Sequence, residues 1–528
     1  MSNSTDVFNA RHSRQYDLFA LACCSAILLL ALAIGFLKHQ IGALGTETDF
    51  YGAYATQVEN ILAGRPYTYQ HLPPGYCLLL VGVSSLTGNV FVAGKLIGAF
   101  ATGLFGWVAY LLLKALFDRR IALAATLLSL VALIPYSFLA TPDMLTALTT
   151  ILPLWVLLRR PTLGWKTCFV TGLLSGVAYL IRYNAMFAIA GIGFSLLFIH
   201  CDRTPWRQRF LRVGLFLAGV LLVTLPWLIA NWSINGNPFT STIYVQMGKY
   251  FYGLNPQASY SFTTNPDASQ LGSDLQQLAA QFNSLFAVVF HDPAKFFSKY
   301  LNSLFYRHIK NLAINSLQFP AYLFAGSGLL FLLAHRSRRK LSFLVVCLCG
   351  HLFLCLFSFQ HRYYFFLYPF LFLLVACCLF QREILAALGQ IPYLKIATSW
   401  VIIAVLAIFL TANAYGEVKS VLASEPRHLI AIAEFLKPRS SPDDIMIVGK
   451  PHLAYFTGIR RVFPPAKTAD DYWSAAQDIG VRYIVYSKFE ASLWPGLRSL
   501  SNPETLPDAF KLIYQHEPTE TRVYEIEN

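Results

Sequence analysis

The chain has 528 residues, of which 56% are hydrophobic and 13% charged, with a formal net charge of +14. A soluble domain is nearer half apolar and a quarter charged, so this composition excludes an ordinary soluble enzyme and indicates a polytopic membrane protein with a soluble tail. The basic excess sits in short turns between apolar runs, where the positive-inside rule accounts for it without nucleic acid.

The N-terminus is polar, and its first apolar run, Leu18 to Leu37, is too long for a signal-peptide core. A span needs about 20 apolar residues. Eleven runs are expected to cross: 17–37, 89–117, 121–136, 143–159, 166–182, 184–200, 209–231, 320–335, 341–358, 364–381 and 396–415. The stretch Leu72 to Thr87 is read as a re-entry that does not cross. With that reading the basic turns all fall on one side: Arg119–Arg120, Arg159–Arg160–Lys166, Arg203 to Arg212, and Arg336 to Lys340. Arg11 and Arg14 before the first span share that side. This places the N-terminus in the cytoplasm. Loops 38–88 and 232–319 and the tail 416–528 then lie outside, which in a Gram-negative cell is the periplasm.

The first external loop carries Asp49 just past the first span. A short amphipathic segment follows, then a Gly64–Arg65–Pro66 turn, then His71–Leu72–Pro73–Pro74–Gly75–Tyr76. The second loop is polar and aromatic. It closes on an amphipathic stretch, His291 to Lys310, suited to a membrane surface. In the tail, Leu429–Leu436 and Asp470–Ile479 read as helices and 444–448, 481–486 and 523–526 as strands. This alternation indicates a small α/β domain. The expected division is a membrane domain over 1–415 and a soluble domain over 416–528. The ten cysteines lie mostly in apolar spans, none follows Cys378, and no pair has zinc spacing.

Ionisable groups at a membrane boundary are costly and are functional candidates by default. Five map to the external face: Asp49, His71, Asp143 in Thr141–Pro142–Asp143, Arg182 at the end of the fifth span, and Arg362 before the tenth. A carboxylate there can take a hydroxyl proton as general base. Arginines can hold a phosphate through paired hydrogen bonds and stabilise its charge as it leaves. Each residue also has a structural reading. Asp49 and Asp143 suit helix capping, Arg182 and Arg362 suit snorkelling to headgroups, and His71 is an ordinary interfacial histidine.

These residues resemble the bacterial branch of the GT-C superfamily, related to protein O-mannosyltransferases and to the aminoarabinose transferase of lipid A. Asp49 matches the family's first-loop acid and Asp143 its second. Leu72–Pro73–Pro74–Gly75–Tyr76 matches the place of a basic residue followed by prolines, and Arg362–Tyr363 matches an Arg-Tyr pair before a late span. Phe50 departs from a common Asp-Glu step. Leu72 stands where the basic residue is expected, with His71 as its partial substitute. The resemblance covers 17–415 and matches the tail only in kind.

It implies a GT-C fold of about eleven transmembrane helices with a small α/β periplasmic domain. It also implies an inverting glycosyltransferase that takes a sugar from a polyprenyl (undecaprenyl) phosphate. The acceptor would be a glycolipid, polysaccharide or protein, the other partners membrane lipids, and no nucleic acid is expected. Asp49 and Asp143 are the expected catalytic acids. His71, Arg65, Arg182, Arg362 and Tyr363 are the expected substrate-binding residues. No cofactor is required by these residues; a divalent cation, if used, would sit on Asp49 and Asp143. A transporter or flippase of lipid-linked sugars, and a polysaccharide polymerase or ligase, are the alternatives.

Overall fold

The computed structural model describes residues 3–526 apart from 66, 68–71, 161, 200–203, 236–237, 239–242, 254–277, 279, 319–320, 336, 381–395, 463–468 and 494. His71, and Arg203 and Arg336 of the basic turns, lie outside the described residues. The chain divides into two compact units. One comprises 1–39, 70–240 and 294–421; the other comprises 40–69, 241–293 and 422–528.

The first unit is helical and apolar. Among the described residues six helices are long and apolar enough to cross a membrane: Arg14–Leu37, Val90–Leu116, Arg119–Tyr136, Trp206–Ile234, His361–Leu379 and Thr398–Arg439. A seventh crossing would come from Pro293–Leu317 and Ala321–Ala334 taken together, although the two are bent by 116°. The expected count of about eleven is therefore not met by length. Several of the expected runs fold as helices of fewer than the about 20 residues that a span needs. Pro142 and Arg182 delimit Asp143–Leu158 and Trp165–Ile181, which have 16 and 17 residues. The stretch read as a re-entry folds as Gly75–Thr87, about 20 Å of helix at 1.5 Å per residue, against a hydrocarbon core of about 30 Å.

Small residues let these helices approach closely, the usual basis of packing where lipid removes the hydrophobic drive between helices. Trp165–Ile181 lies against Trp206–Asn235. A Cβ on Gly176 would stand 2.9 Å from the Val220 carbonyl, and one on Gly219 would collide with Phe169. Gly75 is similarly placed: a Cβ there would lie 2.5 Å from the Leu180 carbonyl oxygen. The Pro73–Pro74–Gly75 step thus abuts the end of the helix that delivers Arg182.

The stretch expected to be amphipathic forms the helix Pro293–Asn302 and two further turns to Asn311. Phe296 and Ser303 are buried while Phe297, Leu301 and Phe305 are exposed.

The second unit gathers the first loop, part of the second and the tail. Its centre is a five-stranded sheet: β1 Ile445–Ile447, β2 Arg460–Val462, β3 Val481–Tyr486, β4 Phe510–His516 and β5 Thr521–Ile526. The order is β2-β1-β3-β5-β4. Strands β1, β2 and β3 are parallel; β5 runs antiparallel to β3, and β4 antiparallel to β5. Alternation along the strands feeds two cores. Ile445, Ile447, Val481 and Ile484 pack with Tyr472 of the helix Ala469–Ile479. Met446, Val448, Tyr483 and Val485 pack with the helices His428–Leu436 and Pro451–Thr457. The two helices and three strands expected in the tail are present. Strands β2 and β4 had no clear signal, since β2 is three residues long with two arginines.

The first loop packs on this unit through Tyr51. Its ring lies 4.7 Å from that of His452 and 5.0 Å from that of Tyr455, and its hydroxyl accepts from the Gly42 N–H at 3.1 Å. His452 Nε2 lies 2.9 Å from the Gly42 carbonyl oxygen, so Nε2 carries the proton. Burial pushes this imidazole down to about 3, which keeps it neutral.

Candidate functional site

In the membrane unit, four residues from three sequence-distant segments converge. Asp143 occupies the first turn of the helix Asp143–Leu158, directly after Pro142. Proline presets that entry, and the helix N-terminus favours a carboxylate. Asp143 is buried, and its Oδ1 accepts from Arg182 Nη1. Arg182 terminates the helix Trp165–Ile181 in extended backbone, at φ −159° and ψ 133°. A cation there meets the favourable end of the helix dipole. The pair is little exposed, 12% for the Arg182 side chain and 5% for Asp143.

Tyr363 joins the second arginine to this pair. The Arg182 guanidinium carbon lies 4.8 Å from the centroid of the Tyr363 ring, and that of Arg362 lies 5.6 Å from it. Both distances are within cation–π range. Two arginines 180 positions apart therefore share one aromatic ring. Such a cluster can receive a dianionic group. Guanidinium forks suit phosphate oxygens, and the ring fixes the direction in which they point.

A buried relay fixes the turn that carries Arg362 and Tyr363. The Tyr136 hydroxyl donates to Glu417 Oε2 at 2.9 Å and lies 2.9 Å from His361 Nδ1. The Tyr368 hydroxyl bonds His361 Nε2. Because Tyr136 gives its proton to Glu417, His361 donates from Nδ1 and accepts Tyr368 at Nε2. Sequence reasoning passed over Tyr136 and Glu417. The signal available was a lone carboxylate at the end of an apolar helix, which is costly unless partnered.

Asp49 belongs to the other unit. It precedes a wide helical turn, Phe50–Ala55, and its side chain makes no capping hydrogen bond there. Phe50, Tyr51, Tyr54 and Ala55 behind it are buried, whereas Asp49 is exposed. Lys450 acts electrostatically with it from the C-terminal part of the same unit. Arg65 is exposed on the same loop. Among the described residues no group of three or more His, Cys, Asp or Glu side chains is placed to hold a metal ion. Asp143, one of the two expected ligands, is met by a guanidinium instead.

A family model described as dolichyl-phosphate-mannose-protein mannosyltransferase matches residues 71–230. No curated protein sequence matches the chain. Among solved structures, the apo oligosaccharyltransferase of Archaeoglobus fulgidus aligns with a TM-score of 0.60 at 15% identity, over 96% of this chain and 74% of that one. The oligosaccharyltransferase AglB from Archaeoglobus fulgidus, with an inhibitory peptide and dolichol-phosphate, aligns at 0.55 and 14% identity, over 97% and 74%. ArnT from Cupriavidus metallidurans bound to undecaprenyl phosphate aligns at 0.56 and 14% identity, over 95% of this chain and 97% of that one. Identity this low carries the fold and no more. The chain has the fold of the GT-C glycosyltransferases, the superfamily that its loop and arginine motifs resemble.

Proposed function

We propose that the chain is an integral-membrane glycosyltransferase that moves a sugar from a polyprenyl-phosphate donor to an acceptor hydroxyl at the periplasmic face of the inner membrane. The observation that carries this reading is the Asp143–Arg182–Tyr363–Arg362 cluster. Similar structures that hold undecaprenyl phosphate or dolichol-phosphate support it. A lipid-borne donor also suits a membrane enzyme, since the lipid brings its phosphate to the boundary where ionisable residues are tolerated.

The reaction is one displacement at the anomeric carbon. The acceptor oxygen forms the new bond as the bond from the anomeric carbon to the phosphate oxygen breaks. The electron pair leaves on the phosphate, where Arg182 and Arg362 neutralise it. Asp49, proposed from its place in the first loop, takes the acceptor proton. Attack opposite the leaving group inverts the anomeric centre. Asp143 holds Arg182 in position instead of carrying a metal. His71 and Arg65 remain candidates for the sugar or phosphate. The sugar is a hexose or pentose, and the acceptor a glycolipid, polysaccharide or protein.

The phosphate assignment is tested by donor binding. Arg182→Ala and Arg362→Ala should each weaken binding of a polyprenyl-phosphate sugar by about 10-fold or more, in line with the loss of one charge-assisted hydrogen bond of roughly 1.5–3 kcal/mol. Lysine should restore part of it, since it keeps the charge without the planar fork. Normal binding by both alanine variants would remove these arginines from the site.

A further inference from the structure

We infer that the C-terminal part of the second unit contains a binding site for a neutral saccharide. Strand β1 stands between β2 and β3, so the chain leaves β1 to one side and returns on the other. The helices Pro451–Thr457 and Ala469–Ile479, which make those connections, pack on opposite faces of the sheet. In an open sheet of this kind, ligands bind beyond the carboxyl ends of the parallel strands at the point where the order reverses. A cavity of about 260 Å³ lies at that place, lined by Val448 just after β1 and by Ser487 just after β3. This is somewhat smaller than the usual site for a drug-sized ligand, which suits one or two sugar rings.

The lining selects the ligand class. It includes the carboxylates Glu425 and Glu490, the hydroxyls of Ser487 and Thr521, the imidazole of His428 and the ring of Phe489, but no lysine or arginine. The cations beside it are engaged with other groups. Arg427 bonds Glu425 at 2.9 Å, and the Lys450 ammonium stands 5.8 Å from the Phe489 ring centroid. With no lysine or arginine in the lining, a phosphate or carboxylate ligand would find no cation there to pair with. A neutral polyol meets hydroxyls that both give and take, and an aromatic face for its C–H groups.

The groups are also held in place. Glu490 accepts the N–H groups of Gly449 at 2.8 Å and Lys450 at 3.0 Å, which ties the lining to the end of β1. His428 stacks on His516 at 5.1 Å, and its Nε2 lies 3.3 Å from Thr521 Oγ1. Phe489 is 43% exposed and so available to a ligand. This site is independent of the transferase reading, because it uses neither Asp49 nor the arginine cluster.

The test presents full-length protein in lipid nanodiscs to an array of neutral oligosaccharides, each beside a phosphorylated counterpart. The wild type should retain at least one neutral glycan and bind no phosphorylated form more tightly. Phe489→Ala, and separately Ser487→Ala, should weaken retention by about 10-fold with the melting temperature preserved, while Asp49→Asn retains the glycan. The inference is overturned if no neutral glycan is retained, or if phosphorylated glycans bind more tightly. It is equally overturned if whichever of the two cavity variants folds binds as the wild type does, or if Asp49→Asn abolishes retention.

Discussion

Glu490 shows how a single buried carboxyl couples the second unit to pH. Burial is the largest influence on it and pushes it up to about 7 from an ordinary 4.5, against the opposing effect of two backbone N–H donors. The folded state therefore holds this proton between about pH 4.5 and 7, where the unfolded state has released it. Stability must fall as pH rises through that window and level off above it. The contribution is at most roughly 3–4 kcal/mol, since each tenfold change in proton affinity between the two states corresponds to about 1.4 kcal/mol. Glu490→Gln keeps an acceptor but cannot ionise, so it should remove this slope. Denaturant midpoints of the second unit at pH 5 and 7.5 should differ more in the wild type than in the variant. An equal difference in both would assign the pH dependence elsewhere.

Other single residues differ in how visible they are from sequence. Asp143, Arg182, Arg362 and Tyr363 stand out because each is polar at the edge of an apolar run, and the structure brings these four together. Tyr136 and Glu417 do not stand out. Their significance comes from Tyr136 meeting His361 across 225 positions of chain and Glu417 across 281, and single-sequence periodicity carries no information on such pairings. The capping alternative for Asp49 has no support in its geometry, since its side chain does not bond the turn it precedes.

Among the helices of the membrane unit, the closest approaches are made at glycines. Gly176 faces the Val220 carbonyl and the Val223 side chain, both at less than 3 Å from where a Cβ would stand. Gly176→Val should force Trp165–Ile181 away from Trp206–Asn235. Overpacking of this kind costs about 1–3 kcal/mol. Because Arg182 follows that helix directly, the shift should also weaken donor binding. Thermal melts and donor affinity should therefore fall together in Gly176→Val, while Gly193→Ala, with nothing within 4 Å of its Cβ position, should leave both near normal. Unchanged stability in Gly176→Val would mean that the two helices do not pack as described.

The shortfall in spans comes from runs that are short already in sequence. The runs 143–159 and 166–182 fold as helices of 16 and 17 residues, bounded by Pro142 and Arg182. Those bounds are where Asp143 and Arg182 stand, so the features that limit helix length also place ionisable side chains at the helix ends. In the tail, short runs of apolar and aromatic residues locate β1, β3 and β5. The short, charged β2 cannot be found by alternation, because it holds its place through pairing with β1.

For the molecule as a whole, chain order and spatial grouping differ. Segments 40–69 and 241–293 are joined with 422–528, and the remainder forms the helical unit. Tyr51 illustrates the cause within the second unit. A loop aromatic that is fully buried against His452 and Tyr455 makes the first loop part of that unit's core, across about 400 positions of sequence. The central claim is that the molecule transfers sugar from a polyprenyl phosphate and does not merely move it across a membrane. The most direct measurement places purified protein in proteoliposomes with a radiolabelled polyprenyl-phosphate sugar and an envelope extract as acceptor source, and follows both acceptor labelling and sidedness of the donor. Labelled acceptor is expected with the wild type, and a rate lower by about 10²–10⁴-fold with Asp49→Asn at unchanged donor binding, the usual contribution of a positioned proton acceptor. Translocated donor with no labelled acceptor would contradict the claim and make the protein a flippase, and an Asp49→Asn variant as active as the wild type would take the base role from Asp49.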